Sequence, residues 1–375
     1  MNTRQKFTLW GPTSLAVLLA ASLTGPVYAQ QEPEQAESAP IVSDEALAGA
    51  EQAVAQEQRE LPRGHFRLPE QGDIIGEYYT VIVEDPEETL IDIARRHNIG
   101  YEEMRMANPD ISMWVPGEGT EVVIPARYIL PPAPREGIVV NLSELRMYYY
   151  PADKPGIVET YPVSVGREEF ATPVGITRTT VKVKDPAWAP PASMRREAAE
   201  RGEPAPAVVP PGPDNPLGEH AILLAMPSYL IHGTNRPDGV GMRASRGCIR
   251  MYPEDIKSLY ERLPSGTKVN LMDAPFKAGW AADGTLFVQS YPQLEENQGD
   301  FEPLINAIER VDELTEDQVE VDYEQVKRAL EASDGHFVAL YGPQAQAPVE
   351  ETPAEFRGLF EEVELSQTQA TEEDA

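Results

Sequence analysis

Cysteine is almost absent from this 375-residue sequence, which contains a single one, Cys248. One thiol cannot close a disulfide within the chain, so the fold depends on its core rather than on cross-links. The count alone leaves three interpretations open for Cys248: an inert buried thiol, a bridge to another chain, or a reactive group.

Positive charge is scarce as well. The chain has 31 Lys and Arg residues against 62 Asp and Glu residues, a formal net charge of -31. A surface of this sign repels phosphate backbones, so we expect no nucleic-acid partner. Four of the histidines are scattered without the spacing of metal ligands, so we expect neither a metal nor another cofactor; these are His65, His97, His220 and His336.

Long apolar runs are missing after the first thirty residues, so we expect no membrane span there. Residues 1–29 combine a basic start at Arg4 and Lys6, a short apolar run, and small residues at Val27 and Ala29. This order is typical of a cleaved secretory signal peptide, which predicts an exported protein. An uncleaved membrane anchor is the alternative, because signal sequences and short anchors overlap in length.

Two stretches have the composition of unfolded chain. Residues 30–65 are rich in Glu, Gln, Ala and Pro, which predicts a disordered linker. Residues 342–375 are strongly acidic and are predicted to form a disordered, solvated tail. Residues 274–341 lie between the central part of the chain and the acidic tail. They are predicted to form a small C-terminal subdomain with a strand at 285–288 and a helix at 322–332.

Residues 78–126 form the first compact unit in the sequence. A β-branched and aromatic run from Tyr79 predicts a strand, and a second one ending at Pro125 predicts a closing strand. Two helices are predicted between them, the first with Asp85 as its N-cap and Pro86 in its first turn. The expected architecture is a small α/β domain of strand, helix, helix and strand.

Residues 137–273 form the second unit, and strand patterns dominate it. The runs 138–142 and 145–150 predict a hairpin around Ser143 and Glu144. Further apolar strands are predicted at 161–165, 179–183, 221–224 and 229–231, and helices at 194–201 and 253–263. We therefore expect a mostly β domain.

The chemistry of this second unit centres on one segment. His232 ends an apolar strand, and Cys248 follows sixteen residues later, after a glycine-rich loop. A free thiol has a pKa of about 8.5 and needs a base to react at neutral pH, and an imidazole titrating near ~6.5 is suited to that task. Amides near Gly247 and Cys248 are suited to an oxyanion hole for an acyl intermediate.

The segment resembles the catalytic signature of L,D-transpeptidases, the YkuD domain family. The signature has a His, a spacer of this length, and then Ser/Thr-His-Gly-Cys, an apolar residue and Arg or Asn; this chain has His232 and then Ser245-Arg246-Gly247-Cys248-Ile249-Arg250. The resemblance extends from about residue 66 to 273 and includes Asn141 to Arg146, Thr172 to Gly175 and Gly212 to Pro216. It implies a β-sandwich-like YkuD fold.

The first unit resembles a LysM domain, which binds peptidoglycan glycan. The matching positions include Tyr79-Thr80-Val81, Asn108-Pro109 and Pro116-Gly117, but the usual Pro-Gly-Asp turn before Thr89-Leu90 is missing. Glycan binding and a purely structural role both remain open. Together the two units look most similar to the periplasmic proteobacterial members of the family, which implies a periplasmic location.

The resemblance implies a mechanism and a set of partners. His232 would deprotonate Cys248, and the Gly233 carbonyl would orient the imidazole. The thiolate would attack a peptidoglycan stem tetrapeptide, release D-Ala and form a thioester. An amine would resolve the thioester, either a second diaminopimelate, giving a 3-3 cross-link, or the lysine of an outer-membrane lipoprotein. Carbapenems would acylate the same cysteine. An L,D-carboxypeptidase, in which water is the acceptor, and a non-catalytic peptidoglycan-binding protein are the alternatives.

Three further residues are assigned to the oxyanion or substrate-binding region. Arg246 stands where the family has histidine, and because arginine stays protonated it would act only electrostatically. Arg250 would hold a substrate carboxylate, with a structural salt bridge as the alternative. Ser245 would donate or accept a hydrogen bond near the site, or would shape the loop.

Overall fold

The computed structural model describes residues 61–292, 302–316 and 318–346. The predicted signal peptide, most of the predicted linker and nearly all of the predicted acidic tail lie outside these residues. Residues 61–65, the end of the predicted linker, are described, and His65 already belongs to a strand.

Sixteen strands and six helices make up the regular structure of the described residues. The strands are β1 His65–Arg67, β2 Ile74–Ile82, β3 Glu121–Ile129, β4 Gly137–Asn141, β5 Arg146–Tyr150, β6 Ile157–Pro162, β7 Val165–Gly166, β8 Gly175–Lys184, β9 His220–Leu224, β10 Leu230–His232, β11 Arg243–Ser245, β12 Ile249–Arg250, β13 Lys268–Met272, β14 Phe276–Trp280, β15 Leu286–Ser290 and β16 Val338–Tyr341. The helices are α1 Leu90–Arg96, α2 Tyr101–Ala107, α3 Ala192–Glu200, α4 Pro253–Arg262, α5 Glu302–Thr315 and α6 Tyr323–Ala332.

A mixed sheet of nine strands forms the second unit, in the order β1-β6-β5-β4-β13-β8-β9-β10-β12. One hydrophobic core contains side chains from both halves of this order, including Tyr161 on β6 and Met147 on β5 in one half and Ile231 on β10 and Ile249 on β12 in the other. The sheet is therefore curled around its own core, with α4 contributing Ile256 and other apolar residues to it. The prediction of a mostly β domain is confirmed, and its sandwich-like character comes from one continuous sheet.

The first unit has the predicted order of strand, two helices and strand, and we call residues 74–129 the N-terminal module. Its strands β2 and β3 pair antiparallel from Ile74 opposite Ile129 to Ile82 opposite Glu121. The predicted N-cap at Asp85 is wrong. Thr89 caps α1 in a reciprocal capping box with Asp92, because this pair satisfies two free backbone donors at once.

A buried ion pair joins the N-terminal module to the curled sheet. The guanidinium of Arg146 on β5 is fully buried, and its Nε and Nη2 each donate a hydrogen bond of 2.7 Å to the carboxylate of Glu103 on α2. Arg146 also donates to the Asn98 carbonyl at 3.0 Å and to Thr160 Oγ1 at 3.1 Å. The module is thus fixed to the sheet by a charge pair in which every guanidinium nitrogen donates a hydrogen bond.

Glu103→Ala is expected to destabilise the protein by about 3–5 kcal/mol, because it leaves the Arg146 guanidinium buried without its counter-charge. Urea unfolding measures this difference in the free energy of unfolding. Glu102→Ala is the control, since Glu102 pairs only with Arg105 on the surface and such pairs contribute about 0–1 kcal/mol. Equal losses for the two variants would contradict the prediction.

The C-terminal subdomain consists of the sheet β14-β15-β16 and the helices α5 and α6. The predicted strand and helix correspond to β15 and α6, and Asp322, the first residue of the predicted helix, is the N-cap of α6. Lys277 on β14 is fully buried and donates to Glu144 Oε1 at 2.6 Å and to the Ile129 carbonyl at 2.7 Å. This pair holds the subdomain against the β4–β5 turn.

Across residues 61–292, 302–316 and 318–346, none of the helices combines the length and the apolar character needed to cross a bilayer.

Candidate active site

Two short parallel strands bring the predicted catalytic residues together. On β10 and β12, Ile231 is opposite Ile249 and His232 is opposite Arg250. Ile231 and Ile249 point into the core, so their neighbours His232 and Arg250 point to the other face. Cys248 precedes Arg250 by two residues and therefore lies on the same face as His232. In this register Cys248 is level with Leu230, two positions before His232, so residues sixteen apart in the sequence come to neighbouring places on one sheet face.

His232 is buried, and its ring is held by the backbone. Its Nδ1 lies 2.6 Å from the carbonyl oxygen of Gly233, the contact that the family resemblance implies. Burial lowers the pKa of His232 to about 4, with the positive charge of Arg250 acting in the same direction and the Gly233 and Leu217 carbonyls opposing it. The imidazole is therefore neutral at neutral pH. Donation from Nδ1 leaves the lone pair on Nε2, where a proton can be accepted.

Cys248 is partly buried at the start of β12. Its thiol donates to the Ser228 carbonyl across 3.6 Å. Burial raises the pKa of the Cys248 thiol above its ordinary value, while the Leu230 backbone N–H and the positive charge of Arg250 lower it. The resting site thus holds a neutral thiol and a neutral imidazole on one sheet face, a combination suited to proton transfer as the thiol attacks.

The turn before Cys248 is shaped by Ser245 and Gly247. Ser245 Oγ donates to the Cys248 carbonyl at 2.5 Å and accepts from the Gly247 N–H at 3.1 Å. Gly247 has a φ of 100°, and a Cβ there would lie 2.8 Å from the Tyr229 ring, so glycine is required. Because the Gly247 N–H already donates to Ser245, this amide is not free for the predicted oxyanion hole in this conformation, and the amide of Cys248 remains as the candidate.

Sequence reasoning missed two supporting residues, although both lie in stretches that carry the family resemblance. Thr172 Oγ1 donates to the Gly247 carbonyl and accepts from the Gly166 N–H, both at 2.9 Å. Asn215 is fully buried, donates to the Pro186 carbonyl at 2.7 Å and accepts from the Leu217 N–H at 2.9 Å. Thr172 thus fixes the turn of the thiol, and Asn215 fixes the segment beside the imidazole.

Thr172→Val is expected to slow acylation of Cys248 about tenfold, because valine keeps the shape but removes both hydrogen bonds that hold the Gly247 turn. The rate of adduct formation with a carbapenem measures the effect. Thr180→Val is the control, since the Thr180 hydroxyl donates only to the Leu223 carbonyl on an exposed part of β8. An unchanged rate in Thr172→Val would contradict a role for this hydroxyl.

Arg250 carries an unmatched charge beside the thiol. The charged groups that act on it are Arg236 and Cys248, and burial together with Arg236 lowers its pKa. Within the described ranges its Nε is buried without an acceptor, and no carboxylate forms a salt bridge with its guanidinium. The sequence left two roles open for Arg250, binding of a substrate carboxylate and a structural salt bridge. The described residues supply no carboxylate partner for the salt bridge.

Arg246, in contrast, has partners outside the turn. Its guanidinium forms a bidentate ion pair with Glu197 on α3 and lies over the Phe170 ring, 4.2 Å from the ring centre. The positive charge lowers the pKa of Glu197. Helix α3 is therefore tied to the turn that contains Cys248, although no pattern in the sequence pairs Glu197 with Arg246.

Comparisons with known proteins identify the family of this chain. A family model for the L,D-transpeptidase catalytic domain, YkuD, matches residues 135–271. The probable L,D-transpeptidase YcfS of Escherichia coli is 37% identical over 274 residues, which cover 72% of this chain and 85% of the relative. The chain belongs to the L,D-transpeptidase family. The probable L,D-transpeptidase ErfK/SrfK of Escherichia coli is 40% identical over 240 residues, 63% of this chain and 77% of the relative.

Among solved structures, the catalytic domain of the Enterococcus faecium L,D-transpeptidase is 22% identical and covers 36% of this chain and 96% of its own length, with a TM-score of 0.28. As an enzyme of the L,D-transpeptidase class, this chain has a thiol and an imidazole on one face of two adjacent strands. The arrangement is suited to acyl transfer through a thioester, in which a base removes the thiol proton and later returns it.

Proposed function

We propose that this L,D-transpeptidase transfers an acyl group from a peptidoglycan stem tetrapeptide through a thioester on Cys248, with His232 as the base. The supporting observation is that His232 lies on the sheet face that also carries Cys248, with Nδ1 held by the Gly233 carbonyl so that Nε2 is left to accept a proton. Gly233 is assigned as the residue that orients the imidazole.

In the first half-reaction, His232 takes the thiol proton as the Cys248 sulfur adds to the carbonyl carbon of diaminopimelate at position three. The tetrahedral oxyanion accepts a hydrogen bond from the Cys248 amide. When the intermediate collapses, the C–N bond breaks and D-Ala leaves with the proton from the imidazolium. In the second half-reaction, an acceptor amine attacks the thioester, and the proton it loses passes through His232 back to the sulfur.

Arg250 is assigned to a substrate carboxylate. Its guanidinium lies on the same face as Cys248 and, among the described residues, has no carboxylate partner of its own. Stem peptides carry carboxylates on both sides of the scissile bond, and a guanidinium can bind one in two parallel hydrogen bonds. Ser245 is assigned to the shape of the turn. Arg246 acts on the site through its charge and through its tie to Glu197.

The location and the N-terminal module belong to the same proposal. A signal peptide at residues 1–29 would export the chain to the periplasm, where its substrate lies. The LysM-like module would bind glycan. Exposed Trp114 and Val115, which are 61% and 70% accessible, support this role because large apolar side chains in the open are typical of binding surfaces.

The test uses the purified protein and a soluble tetrapeptide ending in diaminopimelyl-D-Ala. Intact mass is expected to detect an enzyme adduct of the peptide minus D-Ala, and product analysis is expected to detect two stem peptides joined through diaminopimelate. Adding a lipoprotein peptide with a terminal lysine tests the other acceptor. Tripeptide as the sole product would identify an L,D-carboxypeptidase. Absence of both adduct and D-Ala release would leave a peptidoglycan-binding role.

A further inference from the structure

The loop that joins the imidazole to the thiol touches the N-terminal module. We call residues 233–247 the site loop. Two of its carbonyls, those of Val240 and Gly241, accept hydrogen bonds from the Tyr101 N–H at 2.9 Å and the Glu102 N–H at 3.2 Å. These N–H groups belong to the first turn of α2, where a helix has no partners of its own for them. The site loop therefore supplies part of the N-terminal cap of α2.

Two glycines set how closely the backbones approach at this contact. A Cβ on Gly241, whose φ is 89°, would lie 2.4 Å from Gly100 Cα. A Cβ on Gly100 would lie 2.9 Å from Gly241 Cα. Any side chain at either position would push the two backbones apart, so the site loop rests directly on the turn between α1 and α2.

The same turn also holds the chain on the other side of Cys248. The Tyr252 hydroxyl, four residues after the thiol, donates to the Ile99 carbonyl at 3.1 Å. At the start of α4, the Glu254 carboxylate accepts two hydrogen bonds of 2.8 Å from Arg95. The end of α1 and the α1–α2 turn are thus hydrogen-bonded to the chain both before and after Cys248.

We propose that the α1–α2 turn positions the site loop for acyl transfer, with Gly100 and Gly241 as positioning residues. The proposal rests on the proposed function, in which His232 and Cys248 exchange a proton. The two residues are anchored by β10 and β12, and the glycine-rich loop between them is held on one side by the pairing of β11 with β7 and on the other by the α1–α2 turn. A displacement of about 1 Å in such a site can lower a rate about 100-fold.

Gly100→Ala is the variant that tests the contact. Gly100 has φ -84° and ψ 166°, which alanine adopts without backbone strain. The added methyl would lie 2.9 Å from Gly241 Cα, its tightest contact, and 3.2 Å from Glu103 Oε2 and Pro162 Cβ. Gly239→Ala is the matched control in the site loop, because its Cβ would have no neighbour closer than Met242 Sδ at 4.0 Å. Both variants are made in the whole chain, and a thermal melt verifies that each is folded.

Three measurements decide the outcome. Acylation by a carbapenem is expected to be about tenfold slower in Gly100→Ala and unchanged in Gly239→Ala. The acylation rate falls at low pH as His232 is protonated. In Gly100→Ala this fall, the acid limb, is expected to move to higher pH, because an imidazole more exposed to water has a higher pKa. Hydrogen exchange of peptides from the site loop is expected to be faster, while peptides from β4 and β5 are unchanged.

A lower melting temperature with unchanged acylation, acid limb and loop exchange would overturn the proposal, because the contact would then be structural only. If Gly100→Ala does not fold, Tyr252→Phe removes one tie to the turn without adding volume, and an unchanged loop exchange there would equally overturn it. A wild-type protein that no carbapenem acylates would refute the proposed function, and the exchange measurement would still decide whether the turn holds the loop.

Discussion

Cys248→Ala is expected to form no covalent adduct with a carbapenem or with a stem tetrapeptide, whereas the wild-type protein gains the mass of one. Cys248 is the only cysteine in the chain, so no second thiol can substitute for it. A serine hydroxyl at the same place is far less acidic than a thiol, so Cys248→Ser is expected to retain at most a trace of the rate.

Intact mass spectrometry checks this prediction, and the far-UV spectrum establishes that the variant is folded. The Cys248→Ala substitution is expected to leave the fold unchanged, because Cys248 is only half-buried and alanine removes one atom beside the Ser228 carbonyl. An adduct that persists at the wild-type rate in Cys248→Ala would assign the nucleophile to another group, and the neighbouring Ser245 hydroxyl would be the first to examine.

His232→Ala is expected to acylate about 100- to 10,000-fold more slowly than the wild-type protein, the usual contribution of a positioned general base. The thiol pKa is raised by burial, so without the imidazole little thiolate forms at neutral pH. The measurement is the second-order rate of carbapenem acylation. His336→Ala is the control, because His336 lies in the C-terminal subdomain and pairs with Asp334.

The pH dependence of the wild-type rate follows from the same two groups. The base works when neutral, and burial lowers the pKa of His232 to about 4, so activity is present above that pH and is lost as the pH falls through it. Because the thiol pKa is raised, no further increase is expected near the ordinary thiol pKa of about 8.5. An acid limb near 6.5 would instead indicate an imidazole exposed to water.

Much of the site could be inferred from the sequence because its residues lie close together in the chain. His232, Gly247 and Cys248 occupy one segment with a family spacing, and the parallel pairing of β10 with β12 brings His232 and Cys248 to one face. The β4–β5 hairpin was also predictable, since β-branched and aromatic residues flank a short turn. Patterns of this kind involve only residues that are close together in the sequence, so they can be recognised without knowledge of the tertiary structure.

Contacts between distant segments could not be inferred. Arg146 and Glu103 are 43 positions apart, Arg246 and Glu197 are 49 apart, and neither pair has a spacing that marks it. The predicted start of α1 was wrong for a different reason. Asp85 and Thr89 both have the features of an N-cap, and only the capping box with Asp92 distinguishes them.

Helix α5 was missed although the sequence contains its signal. Ala307, Val311 and Leu314 recur at helical spacing and pack in the core of the C-terminal subdomain.

The neutral state of the resting thiol has a consequence for the lifetime of the enzyme. Peroxides and disulfides react with thiolates, and their attack slows as the thiolate fraction falls. Because burial keeps the Cys248 proton on sulfur until an acyl donor is bound, oxidants that diffuse to the site meet a poorly reactive group. A protein with one unpaired cysteine can in this way stay reduced among oxidants that would disable a permanently ionised thiol.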